Sequence, residues 1–286
     1  MKKRLAGLAA IITLSFGLAA CGNGGSGSTD GSSAAGSSNE KEKTVLTVGA
    51  SPTPHAEILE QVKPLLEKEG IDLEIKQFDD YILPNKALAD GEIDANYFQH
   101  IPYFNLSVEE NDYDFANAGG IHIEPMGLYS QRITDIKDLK DGATVITSNS
   151  ESDWGRIITI LQDADLVTVK DGVDLETATF DDIDENPKNL KFVHDVNPEL
   201  LATTYQNDEA DLVAINANFA YNAGLNPVDD SVLLESDNSP YVNIVAVRSE
   251  DKDNEAIQKL IDALHSQEIQ DWILEKWDGS VKPVDE

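Results

Sequence analysis

Cysteine is almost missing from this chain of 286 residues, and the single one, Cys21, lies close to the N-terminus. A lone thiol excludes an intramolecular disulfide framework, so the folded part is held by its core alone. Cations are scarce as well: 21 Lys and Arg stand against 53 Asp and Glu, a formal charge of −32. That balance excludes nucleic acid and an anionic membrane face as partners, and reads as a soluble, self-repelling surface. No phosphate-cradling glycine loop of the Walker or dinucleotide type follows any strand-like segment, and the zincin helix and serine-nucleophile elbow are missing. Nothing therefore nominates a nucleophile with its base, and the chain is expected to be no enzyme and to carry no cofactor.

What is present begins at the N-terminus. Lys2, Lys3 and Arg4 precede an apolar stretch over 5–20 that ends in Leu18-Ala19-Ala20-Cys21. A charged start, a short greasy run and small residues before a cut make a secretory signal. The run falls short of the roughly 20 residues of a spanning helix. Small residues closing on a cysteine resemble the bacterial lipobox, which implies removal of 1–20, acylation of Cys21 and a membrane anchor on the extracytoplasmic face. Residues 21–43 are rich in Gly, Ser and Asn without hydrophobic periodicity, and are expected to form a flexible tether.

From Thr44 onward strand-like and helix-like segments alternate, which predicts an α/β class. A strand over 44–49 leads into Ser51-Pro52-Thr53-Pro54, with Thr53 as the expected N-cap and Pro54 as the first helical residue. Ile58, Leu59, Val62, Leu65 and Leu66 follow at helical spacing, and Gly70 closes the helix. A strand over 73–78, a helix over 85–90 and a strand over 93–98 complete the βαβαβ opening of a doubly wound sheet. Further strands are expected over 126–129, 143–147, 211–215 and 242–248, and one last helix over 255–276. In open α/β sheets ligands bind beyond the carboxyl ends of the strands. Those ends carry Ser51, then Phe98-Gln99-His100, then Asn149, then Asn216.

Four segments carry a family resemblance: Gly49-Ala50-Ser51-Pro52-Thr53-Pro54-His55, Tyr97-Phe98-Gln99-His100-Ile101-Pro102-Tyr103, Gly120-Ile121-His122-Ile123-Glu124-Pro125-Met126-Gly127-Leu128-Tyr129, and Ser239-Pro240-Tyr241-Val242-Asn243. In this order they resemble the methionine-binding lipoproteins of the MetQ/NlpA family, the substrate-binding components of methionine-import ABC transporters. The resemblance implies a type 2 periplasmic-binding-protein fold, α/β, with each of two lobes a mixed sheet flanked by helices. Lobe one would take 44–121 plus 243–286 and lobe two 122–242, with hinge crossings near 122–125 and 240–243. It further implies L-methionine or a close analogue as ligand, an ABC permease as partner, and a monomer.

An amino-acid ligand dictates its own cleft. A buried carboxylate needs charge-assisted donors, best a guanidinium fork, a buried ammonium needs oxygen acceptors, and a thioether wants aromatic walls. Arg156, opening a helix after the Asn149 loop, is the expected carboxylate anchor; Asn216 and Asn243 match family positions that hold the amino-acid backbone. Tyr81, Phe98, His100 and Tyr103 are expected to form the side-chain wall. Asn218 reads as the cap of a helix from Phe219. Before Gly155 the family usually shows a loop ending in Asn-Glu, whereas this chain has Asp153-Trp154. That departure keeps D-methionine and a methionyl dipeptide open as ligands. His55, His100, His122 and Glu124 keep open a metal-binding receptor, although their scatter over separate loops argues for no metal. A surface enzyme or a structural lipoprotein is the remaining alternative.

Overall fold

The structure is a computed structural model and describes residues 43–236 and 239–284. Cys21, the signal and the tether lie outside the described residues. Along the chain come β1 (Thr44–Ala50), α1 (Glu57–Lys68), β2 (Ile71–Gln77), α2 (Leu83–Ala89), β3 (Ala95–His100), α3 (Ile101–Asn111), β4 (Phe115–Ile123) and β5 (Gly127–Tyr129). Then follow β6 (Thr144–Ser148), α4 (Trp154–Asp163), β7 (Thr168–Val169), β8 (Ile183–Glu185), β9 (Lys191–Val196), α5 (Leu201–Gln206), β10 (Leu212–Ile215) and α6 (Ala217–Asn222). The chain closes with α7 (Pro227–Asp230), β11 (Leu233–Leu234), β12 (Val242–Arg248), α8 (Glu255–Leu264), α9 (Gln267–Lys276) and β13 (Lys282–Pro283).

Two mixed sheets organise these elements. The first has the order β13-β4-β12-β3-β1-β2, and the second β11-β5-β10-β6-β9. In the first, β1 runs parallel to β2 and β3 while β12 runs antiparallel to β3 and β4. In the second, β6 runs parallel to β9 and β10 while β5 is antiparallel to β10 and β11. Each sheet has its own core. Val48, Ile58, Leu59, Tyr97, Val245 and Leu260 pack in the first, and Leu128, Val145, Ile157, Leu161 and Leu212 in the second. Each such aliphatic side chain contributes roughly 1.5–3 kcal/mol on burial. The chain passes between the sheets twice, after β4 and before β12, a two-lobe layout.

Several expectations need correction. Thr53 does not cap α1: its hydroxyl donates to Glu57 Oε1 at 2.8 Å, and Pro52–Ala56 forms a separate wide turn that puts Ala56 at the N-cap position. Asn218 is no cap either, because α6 starts at Ala217 and Asn216 holds the N-cap position. The last helix is two, broken at Ser266, whose backbone is extended. The apolar step from Leu264 to Ile269 is five residues, one too many for a continuous 3.6-residue stripe. β3 runs two residues further than expected, so His100 ends the strand and caps α3 through Nδ1, which accepts from the Tyr103 amide at 3.1 Å. β4, β7, β8, β9, β11 and β13 are additions. β4 carries Gly119 and Gly120, where a Cβ would come within 3.1 Å of Ile261 and 2.9 Å of Val242, so a side chain at Gly120 would force its neighbour to shift and one at Gly119 would be tight.

Candidate functional site

Strand register builds the site. Asn243 at the start of β12 pairs with His100 on β3 and with His122 on β4, which sets three polar side chains side by side at one end of the first sheet. In the second sheet Ile215 pairs with Gly127, so Asn216 leaves β10 beside the segment that carries Glu124 and Met126. Leu234 on β11 also pairs with Gly127, which brings Glu235 to the same place. Between the sheets lies a cavity of about 380 Å³ of empty space lined by His55, Tyr81, Phe98, Gln99, His100, Tyr103, Glu124, Arg156, Asn216, Ala217, Asn218 and Asn243. All seven residues expected to bind ligand therefore line one cavity.

The second-sheet side is charged. Arg156, on the first turn of α4, is 5% exposed. Its Nε donates to Glu235 Oε1 at 3.2 Å, and its Nη2 donates to Glu235 Oε2 and to the Glu124 carbonyl at 3.0 Å. The guanidinium carbon lies over the Tyr241 ring, 4.4 Å from its centroid. Among the described residues Nη1 makes no hydrogen bond, with Asp153 Oδ1 at 3.6 Å. The fork expected to grip a carboxylate is thus held by Glu235, and Nη1 is the edge left for ligand. Burial opposes the Arg156 charge, but Glu235 and Asp153 outweigh it and raise its pKa. Asp153, 1% exposed, meets His100 Nε2 at 3.1 Å and accepts from Asn216 Nδ2 at 3.0 Å. Burial pushes its carboxyl up, yet the His100 and Arg156 interactions bring it below the usual range.

Trp154 stays out of this group. Its indole donates to the Ser148 carbonyl at 2.9 Å and its ring packs on Phe180 and His194. The departure at 153–154 therefore touches the site only through Asp153. Gly155 lets the 173–179 loop approach α4: a Cβ there would stand 2.1 Å from the Leu175 carbonyl oxygen.

The first-sheet side is a neutral relay. His122 Nε2 lies 2.8 Å and His55 Nε2 3.2 Å from Glu124 Oε1, and His55 Nε2 also meets Asn243 Oδ1 at 3.0 Å. Burial lowers His55 to about 4, with Glu124 opposing, and lowers His122 to about 3. The two imidazoles are thus neutral N–H donors to a carboxylate, and the contacts are hydrogen bonds rather than ion pairs. With its Nε2 committed, His122 accepts the Tyr97 hydroxyl at Nδ1. Glu124, buried, is raised by desolvation against the pull of His55 and Arg156, and the Asn218 backbone N–H also favours its charged form. The His55, His122 and Glu124 ligand atoms all lie within 4.8 Å of one another. That spacing makes a candidate cation site, but the 2.8 Å and 3.2 Å contacts already occupy the same atoms as hydrogen bonds.

Aromatic rings close the cavity. Tyr81 stands 6.0 Å from Phe98, 5.8 Å from Tyr103 and 5.0 Å from Phe219 between ring centroids, so it joins rings of both sheets. Its hydroxyl donates to Asn218 Oδ1 at 2.6 Å, and Tyr103 donates to the Tyr81 carbonyl at 2.8 Å. His100 packs edge-on against Tyr241 at 5.0 Å. Sequence reasoning missed Glu235 and set Asn218 aside. Glu235 follows a two-residue strand and carries no local signal, whereas Asn218 sits on the first turn of α6, just beyond the end of β10, the kind of position where ligands bind.

The NlpA lipoprotein family matches residues 46–285. The chain belongs to the NlpA lipoprotein family. A curated relative, the methionine-binding lipoprotein MetQ of Bacillus subtilis (strain 168), is 48% identical over 257 residues, covering 88% of this chain and 93% of the relative. Among solved structures, a pheromone cOB1 precursor/lipoprotein of Enterococcus faecalis V583 is similar with a TM-score of 0.83 and 58% identity, over 84% of this chain and 100% of that one. A nutrient-binding protein from Burkholderia cenocepacia bound to methionine gives a TM-score of 0.79 and 36% identity, over 84% of this chain and 100% of that one. Among the described residues of this NlpA family member, no helix is long and apolar enough to cross a membrane.

Proposed function

We propose that this NlpA lipoprotein is a monomeric solute receptor, anchored through acylated Cys21 on the extracytoplasmic face, that captures methionine and passes it to the permease of an ABC importer. The observation that carries the reading is the split lining of a single cavity. Arg156 Nη1 and the unpartnered Asn216 Oδ1 supply a donor and an acceptor for an amino-acid head. Tyr81, Phe98, His100 and Tyr103 supply a wall for an apolar, sulfur-containing tail. Burying such a tail contributes roughly 1.5–3 kcal/mol, while micromolar affinity needs about 8 kcal/mol, so the head contacts supply much of the binding. The lobes are 44–121 plus 243–286 and 122–242, with the crossings at 122–125 and 240–243 serving as the hinge. The named ligands of the relatives support the choice of methionine, and the role is binding rather than catalysis.

Calorimetry on protein unfolded, stripped of ligand and refolded tests this. L-methionine should bind at micromolar affinity or tighter, and D-methionine and methionyl dipeptides run alongside rank the alternatives. Silence from all of them would sink the reading. The 4.8 Å cluster of His55, His122 and Glu124 favours a cation as the second reading. A zinc titration of the same refolded protein decides it, with saturable binding lost in His122→Ala as the positive result.

A further inference from the structure

Two asparagines at the start of α6 present opposite polarities to the cavity. Asn216 Nδ2 donates to Asp153 Oδ2 at 3.0 Å, which turns its Oδ1 inward as an acceptor with no protein partner. Asn218 is tied the other way round. Its Oδ1 accepts from the Tyr81 hydroxyl at 2.6 Å, and its Nδ2, on a side chain 4% exposed, has no partner. Turning the Asn218 amide over would aim a second carbonyl oxygen into a cavity that already holds the Glu124 carboxylate and Asn216 Oδ1. With the Tyr81 hydroxyl donating to Oδ1, Nδ2 is the Asn218 group left unpaired beside the cavity.

An unpaired buried N–H is costly, so a ligand oxygen is the group that completes it. Arg156 alone cannot satisfy a ligand carboxylate, because Glu235 and the Glu124 carbonyl hold Nε and Nη2 and leave only Nη1. We propose that Asn218 is a specificity-determining ligand contact: its Nδ2 donates to the second carboxylate oxygen of the amino acid, while its Oδ1 holds Tyr81 closed over the ligand. This deepens the methionine-binding reading and rests on it. The cavity then takes α-amino acids with a free carboxylate and rejects the matching amino alcohol, and the reader of that difference is Asn218 together with Arg156.

The test uses refolded wild-type protein, Asn218→Asp and Asn218→Ala, each titrated calorimetrically with L-methionine and with L-methioninol, which lacks the carboxylate. A hydrogen bond to a charged group of the usual strength corresponds to about a tenfold or larger change in affinity. Asn218→Asp sets a carboxylate against a carboxylate and should weaken methionine by roughly 30-fold or more, shrinking its preference over methioninol by about tenfold. Asn218→Ala should weaken methionine by about tenfold and shrink the same ratio, which keeps the question open to decision if the Asp variant fails to fold. Methionine affinity unchanged or improved in Asn218→Asp would overturn the assignment, since the amide would then face the ammonium or no ligand group. An unchanged ratio in Asn218→Ala would overturn it too. Wild-type protein that ignores methionine would overturn this inference and the functional reading together, whereas binding by wild type with indifferent variants overturns this inference alone.

Discussion

The two walls of the cavity are polar in different ways. The second sheet contributes full charges, with Arg156 held between Glu235 and Asp153, all at most 7% exposed. The first sheet contributes neutral hydrogen bonds, in which Tyr97, His122 and His55 hand protons toward one carboxylate, Glu124. The difference follows from what each wall must do. A zwitterionic head needs fixed charges already oriented before it arrives, and orienting a buried guanidinium takes carboxylates that it cannot leave. The first-sheet wall instead satisfies its buried imidazoles and phenol as hydrogen-bond partners without charging them.

Breaking the charged wall should have the largest effect. Glu235→Ala removes the acceptor of Arg156 Nε and Nη2, of the Met126 amide at 2.9 Å and of the Ser239 hydroxyl at 2.8 Å. Stranding one member of a buried ion pair costs about 3–5 kcal/mol. Urea denaturation should show a loss of that size, and methionine affinity should fall as Arg156 turns toward Asp153. A loss below about 1 kcal/mol would mean that the charged wall is no more demanding than the neutral one.

The neutral wall makes an opposite prediction in acid. His55 at about 4 and His122 at about 3 lie below the usual imidazole value of 6.5. The unfolded chain takes up protons as pH falls through 6.5 while the native imidazoles do not. Their stabilising contribution is complete above 6.5 and is lost as pH falls toward 4 and 3. Each histidine adds a slope of at most about 1.4 kcal/mol per pH unit in that window. Glu124, raised by burial, runs against them, since its contribution is present at low pH and lost as pH rises through its folded value. NMR titration checks the cause directly: His55 and His122 should stay neutral at pH 5. His55 and His122 both titrating near 6.5 would remove the neutral relay.

The contrast also bears on what could be read from residues alone. The run β1-α1-β2-α2-β3 was legible because its apolar spacing is strong and Gly70 and Gly91, both at positive φ, punctuate it. β4 was not: Phe-Ala-Asn-Ala-Gly-Gly-Ile-His-Ile lacks the alternation of a strand and becomes one by lying between β12 and β13. Within the site, residues at predicted strand ends were found, including Phe98, His100 and Asn216. The partners that orient them were not. Glu235 reaches Arg156 over 79 positions, and His55 reaches Asn243 over 188, through register that no local pattern encodes.

The smallest effect belongs to the far end of the neutral wall. Tyr97 is fully buried and its hydroxyl donates to His122 Nδ1. Tyr97→Phe keeps the ring that packs edge-on against His55 at 4.7 Å and His122 at 5.4 Å, and removes one oxygen. His122 Nδ1 is then a buried acceptor without a donor, a loss of about 1 kcal/mol. No charge is stranded, because His122 is neutral and Glu124 keeps both of its imidazole donors. The shift in urea midpoint should therefore be a fraction of that in Glu235→Ala. Equal losses in the two variants would show that His122 carries charge in the native protein, and that the two walls are one ionic network rather than a charged and a neutral one.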